Sequence, residues 1–465
     1  DNGLVTLVHT DRKAPIVGVT VYYRVGSKHE PRGRTGFAHL YEHLFFGGSA
    51  NVPDFDTPLE SAGSTQTNGS TWYDRTNYVV TVPTGALDLA LFMESDRMGY
   101  LLPAVTQEKL DRQRGVVQNE KRQGDNQPYG LLAYAQAEGL FPVGHPYRHA
   151  PIGSMADLEA ATLSDVHGWF HDNYGPNNVV LVLSGDIDAA TARPLVEKWF
   201  AAIPRGPDVQ PVEAETVTLA APSSRVMTDA VPVARLTRNW SGPGLDDPDT
   251  PALQMGLTVL GGLAGSRLDN ALVRGQGLAV TVTASAYPFE QVSTIEATMD
   301  VKPGVDRAKA AAAFDTVIAD FIAQGPTADE LRRAVTSTLS AEIGALELVG
   351  GFYGKGATLA EGEMYSGDPA AFHRRLTRMA ALTPEDVRAA LQRWLTRPVF
   401  AVDVVPGERT EDGALMGGRG DEGEPATPDP DRRGTALALR DAPVREAPPV
   451  GEPQALSLAP VERAV

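Results

Sequence analysis

The 465-residue sequence contains no cysteine. Disulfide frameworks, thiolate metal sites and cysteine nucleophiles are therefore excluded. It also lacks any run of about 18 apolar residues, so no membrane-spanning helix is expected. Positive charge is in deficit, with 41 Lys and Arg against 59 Asp and Glu and a formal net charge of −18. Such a chain repels polyanions, which argues against a nucleic-acid binder and for neutral or cationic partners. No G-x-S-x-G elbow occurs, removing the usual serine-esterase signature. Nor does the sequence begin with Met: it opens at Asp1, which points to an upstream segment such as a signal peptide.

What is present starts with "HLYEH", His39 to His43, within "RTGFAHLYEHLFFGGS". The stretch is apolar-rich, Thr35 is placed to cap a helix start, and Gly47-Gly48 end it. On a helix, residues four apart share a face, so His39 and His43 point together and Glu42 lies at the edge of that face. Two neutral imidazoles so placed can bind one Zn²⁺. A carboxylate beside them can act on water without holding the metal, the division of labour of H-x-x-E-H. His167 and His171 in "HGWFH" share the spacing but have no glutamate between them.

The length calls for two or more domains. Helical and strand patterns alternate to about residue 205, residues 206–222 form a linker rich in Pro and charge, and a second region runs over 223–408. Residues 162–186 and 382–407 echo one another. Each has a T-x-x-D cap, an amphipathic helix with a tryptophan, a Pro turn and a Val-rich strand, the signature of a duplicated domain. Residues 409–465 are rich in Gly, Pro and charge and read as an extended tail or linker.

A third metal ligand is sought on a separate helix. "TQEKLDRQRGVVQNEKRQ" is amphipathic, with Thr106 as cap and Leu110, Val116 and Val117 as apolar positions. Glu120 on it would complete a His₂Glu set, but residue type and position alone leave Glu94, Asp96 and Glu108 equally eligible.

"HLYEH" followed by the glutamate of "VVQNEKRQ" resembles the pitrilysin, insulin-degrading enzyme and mitochondrial processing peptidase family of inverted-motif zinc peptidases. So do the opening "DNGLVTLVHTDRKAPIVGVTVYYRVGSKHEP", "GSTQTNGSTWYDRTNYVVTVP", "GHPYRHAPIGS" and "NYGPNNVVLVLSGDID", the likeness running over about residues 1–408. The resemblance implies an α+β fold: two tandem related domains, each a mixed, mostly antiparallel sheet with helices on one face. It implies one Zn²⁺ per chain held by His39, His43 and Glu120, with Glu42 as general base. Substrate peptides would add as a strand against "TQTNGST", where Asn68 could contact a carbonyl and Tyr129 and His149 could line the chamber.

Two departures stand out. The family often has a glutamate one heptad before the third ligand, where this chain has Gln113, which hydrogen-bonds but brings no charge. Family members carry "RGLAY" in the later half, and its arginine and tyrosine hold substrate over the metal. This chain has "QGLAV", with Gln276 and Val280 at those places. The resemblance then implies a complementary homologous subunit or fused second half that supplies the missing groups. "EPQALSLAPVERAV" resembles the lead-in to such a unit. The activity expected is zinc endopeptidase cleavage of unstructured peptides, with a non-catalytic peptide-binding subunit of a processing complex as the alternative. A periplasmic or cell-envelope location is expected rather than the cytoplasm.

Overall fold

A computed structural model describes residues 1–420 and 442–452. Among these residues ten strands form two five-stranded sheets. The first contains β1 (Val5–Thr10), β2 (Ile16–Tyr23), β3 (Thr65–Thr71), β4 (Thr76–Pro83) and β5 (Val179–Gly185), in the spatial order β1-β5-β2-β4-β3. The second contains β6 (Ser223–Asp229), β7 (Arg235–Pro243), β8 (Ala279–Pro288), β9 (Val292–Val301) and β10 (Phe400–Pro406), in the order β6-β10-β7-β9-β8. The two orders are the same once the second set is counted from its own first strand. In each sheet the first and last strands pair in parallel and the remaining neighbours run antiparallel. The expected fold, two related α+β halves, is the fold observed.

The sheet faces follow the two-residue period of strands. In β2, Val17, Val19, Val21 and Tyr23 point into the first core, which helices Phe37–Phe46 and Leu87–Tyr100 close. Tyr22 of β2, with Val180 and Val182 of β5, points to the opposite face and packs on Ala357, Ala360 and Met364. Those three belong to the helix Lys355–Ser366 of the second half. The converse holds too: helix Leu132–Leu140 of the first half, through Leu132, Ala135 and Leu140, shares a core with Phe400, Val402 and Val404 of β10. Each half thus covers one face of its own sheet and one face of its neighbour's. The near-continuous apolar runs of β2 and β5 belong to strands buried on both sides.

Polar groups tie the halves as well. Buried Lys28 pairs with Asp74 at 3.1 Å and with Glu290 of the second half. Gln136 donates to Asn239 and Glu296 at 2.7 and 2.6 Å, and Lys355 pairs with Asp11. The duplicated caps form as the sequence pattern requires: Thr162 with Asp165 and Thr383 with Asp386 make reciprocal capping boxes before β5 and β10. Among the described residues, no helix is long and apolar enough to cross a membrane.

Candidate metal centre

The "HLYEH" stretch lies on the helix Phe37–Phe46. Its start is not built as Thr35 alone suggests. Gly36 is the N-cap, in a left-handed conformation (φ 92°) that glycine adopts without steric cost. The end's free N–H groups go to Glu30, whose carboxylate accepts from Gly36 N at 2.9 Å and Ala38 N at 2.8 Å. Thr35 instead donates its hydroxyl to Asp157 at 2.6 Å, because it sits one residue too early to reach the first turn. Glu30 is fully buried and also meets His149 Nε2 at 2.9 Å. His149 is therefore an interior support of this helix and does not line an open chamber.

The long helix Gln107–Asp125 packs alongside, capped by Thr106 through Lys109 N. Leu110 and Val117 face the core as expected; Val116 is instead exposed, being one residue off that face. Glu120 projects from this helix toward the two histidines. His43 Nε2 lies 3.2 Å and His39 Nε2 3.6 Å from Glu120 Oε2, and the two Nε2 atoms are 3.3 Å apart. A tetrahedral ion with bonds near 2.0–2.1 Å spaces its ligand atoms about 3.3 Å apart. The three atoms are therefore spaced as three ligands of one zinc-sized ion would be. Burial, and then the neighbouring His43, lower the His39 pKa to about 3, which keeps its imidazole neutral and its lone pair free for a metal. Glu120 is the most open of the three, its side chain 42% exposed. Among the described residues these three make the one cluster whose potential ligand atoms all lie within 4.8 Å of one another.

The other acidic candidates lie apart from the two histidines, each with surroundings of its own. Glu94 is buried in a two-pronged pair with Arg97, at 2.9 and 2.6 Å. Asp96 is buried and accepts from Ser49 Oγ, Asn51 N and Asn51 Nδ2. Glu108 lies exposed in the first turn of its helix, more than two turns before Glu120. Among the described residues the pair His167 and His171 gathers no third ligand, and His171 Nδ1 meets its neighbour Asp172.

Glu42 stands on the same helix, oriented by β3. Thr71 donates its hydroxyl to Glu42 Oε2 at 2.7 Å. Gly69 lets the strand approach closely: a β-carbon there would lie 2.9 Å from the Phe46 ring and 3.1 Å from Glu42 Oε1. Burial raises the Glu42 pKa to about 7; the Thr71 hydrogen bond opposes this and the Glu120 charge adds to it. Thr71, Gly69 and Glu30 were not singled out from sequence. They act through a hydroxyl, a missing side chain and backbone N–H groups, none of which leaves a motif.

Other predicted residues fall as follows. Asn68 lies in β3, not in a turn, and accepts from Gly69 N at 2.8 Å. β3 is an edge strand paired only with β4, with an irregularity between Thr65 and Asn68 where Gln66 adopts a positive φ of 57°. Gln113 approaches the end of the HLYEH helix, its Nε2 3.8 Å from where a β-carbon on Gly47 would sit. Tyr129 reaches the second half, donating to Val233 O at 2.8 Å. Gln276 and Val280 are both exposed, Gln276 closing a helical turn and Val280 on the edge strand β8. Neither hydrogen-bonds to the four motif residues.

Comparison with known proteins agrees with this arrangement. Residues 5–136 match the insulinase (peptidase family M16) domain, and residues 160–338 match the peptidase M16 inactive domain. The chain is 30% identical over 285 residues to the zinc protease PqqE of Helicobacter pylori, covering 60% of this chain and 63%, less than two thirds, of that protein. A crystal structure of a protease from Helicobacter pylori superimposes with a TM-score of 0.80 at 22% identity, over 87% of this chain and 97% of that one. The periplasmic protease PqqL of Escherichia coli superimposes with a TM-score of 0.72 at 18% identity, over 96% of this chain but 51% of that longer one. The duplicated sheets, the inverted motif and both domain matches make the chain a member of peptidase family M16, the pitrilysin family.

Proposed function

We propose that the chain is a zinc endopeptidase of unstructured peptides. The observation that carries this reading is the convergence of His39 Nε2, His43 Nε2 and Glu120 Oε2 at 3.2–3.6 Å, with Glu42 beside them on the same helix. His39, His43 and Glu120 would hold the ion. A zinc ion bound there lowers the pKa of a coordinated water toward about 7 and polarises the scissile carbonyl. Glu42, as general base, takes the proton of the attacking water at its carboxylate and passes it to the leaving amine, while Thr71 keeps that carboxylate turned to the site. The free edge of β3 receives the peptide as an added strand, through main-chain hydrogen bonds that select extended substrates over folded ones. Asn68 on that strand is the candidate contact to a substrate carbonyl, and Gln113 supports the helix ends behind the ligands.

The chain acts with a complementary homologous unit, separate or fused. Gln276 and Val280 offer neither the cation nor the phenol that the family places over the substrate, so those groups come from the partner. The chain corresponds to about half of the periplasmic protease PqqL, and a periplasmic or cell-envelope location is the one proposed here. The match of residues 160–338 to an inactive domain favours a second reading, in which the chain binds peptides in a processing complex without cutting them.

Metal analysis of the purified chain should find one zinc per chain, lost in His43→Ala. Supplying a partner that carries an intact R-G-L-A-Y stretch should raise cleavage of an unfolded reporter peptide well above that of the chain alone. Zinc-free protein would remove the metal reading, and a zinc-loaded pair without turnover would leave the binding subunit.

A further inference from the structure

Away from the histidines, residues 442–452 lie along the back of the first half. The segment "APVREAPPVGE" has three prolines, at 443, 448 and 449, and no regular secondary structure. Arg445 turns into the protein, with its side chain 12% exposed. The guanidinium bonds Asp96 Oδ1 at 2.9 Å and Ser95 Oγ at 2.7 Å. Its carbon sits 5.1, 5.3 and 5.0 Å from the ring centres of Phe92, Tyr100 and Trp199. Three aromatic faces and a wholly buried carboxylate make a socket matched to a planar cation.

The rest of the segment is held by its backbone. Arg445 N donates to Asn51 Oδ1 at 2.9 Å, and Gly451 N donates to Gly85 O at 2.8 Å. Gly85 lies just before the helix Leu87–Tyr100 and Asp96 lies near its end, so the segment runs antiparallel to that helix. As extended chain, residues 445 to 451 reach about 19 Å; as helix, residues 85 to 96 reach about 17 Å. The lengths match, and proline holds the segment extended before it docks, which lowers the entropy lost on binding.

Asp96 makes the contact more than a surface strap. The same carboxylate that pairs with Arg445 accepts from Ser49 Oγ at 2.6 Å and from Asn51 N and Nδ2 at 2.9 and 2.8 Å. Residues 49–51 follow directly on the helix that carries His39 and His43. Removing Arg445 leaves a buried carboxylate without its cation, and the loop it organises loses part of its anchor.

We propose that the first half carries a binding site for a proline-rich, arginine-bearing extended segment, formed by Asp96, Ser95, Phe92, Tyr100 and Trp199. Residues 442–452 are its resident ligand, and their docking fixes the loop 49–51 behind the histidine helix. The claim stands whether or not the chain cuts peptides, because its readouts are binding and protection.

The test uses the whole 465-residue chain. Arg445→Ala should increase amide hydrogen exchange at 49–51 and along Leu87–Tyr100 by tenfold or more, leaving β7 and β9 unchanged. Arg445→Lys, which keeps the charge but loses the planar fork, should fall between. A labelled synthetic peptide of residues 442–452 should bind the Arg445→Ala chain at least tenfold tighter than the wild-type chain, whose own segment competes. The same peptide with alanine in place of its arginine should not bind. Unchanged exchange in Arg445→Ala, a peptide that binds both chains equally, or an alanine peptide that binds as well would each overturn the proposal.

Discussion

At the scale of single residues, a buried glutamate and a half-buried one divide the labour around the histidine helix. Glu30 is spent entirely on structure, its oxygens taken by two backbone N–H groups and an imidazole. Glu42 has one oxygen held by Thr71, which leaves the other for the proposed proton transfer. Glu42→Gln preserves shape and leaves the three ligand atoms in place but cannot accept a proton. Zinc content should stay at the wild-type level while turnover of a reporter peptide falls by about 10²–10⁴-fold. Wild-type turnover in that variant would reject Glu42 as the base. The motif was legible because helical periodicity alone puts His39, Glu42 and His43 side by side. Glu120 was legible only through resemblance: four acidic residues were eligible, and what separates them is the packing of one helix on another. Burial also decides the discarded ones, since Glu94 is consumed by Arg97 and Asp96 by a loop and an arginine.

At the scale of elements, the start of the histidine helix was misread because capping was sought in the adjacent side chain. Thr35 has the right chemistry, yet Gly36 turns the chain left-handed and the cap comes from Glu30. Glu30→Ala would strand two backbone donors and a buried imidazole. It should cost at least about 3 kcal/mol of stability, read as a lower denaturant midpoint, with the helix Phe37–Phe46 losing amide protection first. A second contact is steric. Gly69 brings β3 against Glu42 and Phe46. Gly69→Ala should displace the Glu42 carboxylate and reduce turnover by up to about 100-fold at unchanged zinc content. Unaltered kinetics in that variant would show that the strand yields without moving Glu42. The repeated T-x-x-D caps were readable because a capping box is a local pattern. The identical strand order of the two sheets was not, since it depends on pairings between residues far apart in the chain.

At the scale of the molecule, the sequence echo correctly announced two related halves, but it could not say how they meet. Side chains such as Tyr22 and Val180 look like ordinary strand residues until Lys355–Ser366 is seen covering them. Asp11 on the first half and Lys355 on the second report on this junction. The hydrogen bond from Lys355 holds the Asp11 carboxyl below the ordinary carboxylate range. A carboxyl with a depressed folded pKa stabilises the fold above its unfolded pKa of about 3.9, and that contribution disappears as pH falls through the lower folded value. Lys355→Met should therefore lower the thermal midpoint at pH 6, by a margin that is constant down to about pH 4 and narrows as the pH falls from there through the lowered folded pKa. A gap that does not narrow there would show that the pair contributes nothing pH-dependent.

The exchange of covering helices carries a consequence for ancestry and for engineering. A gene severed between the two sheets would yield two fragments, each with a greasy flank that only its sibling can shield. Such fragments should be insoluble apart and rescued by co-expression. Chimaeras assembled from distant cousins should fail at that seam even where every group of the metal centre is retained.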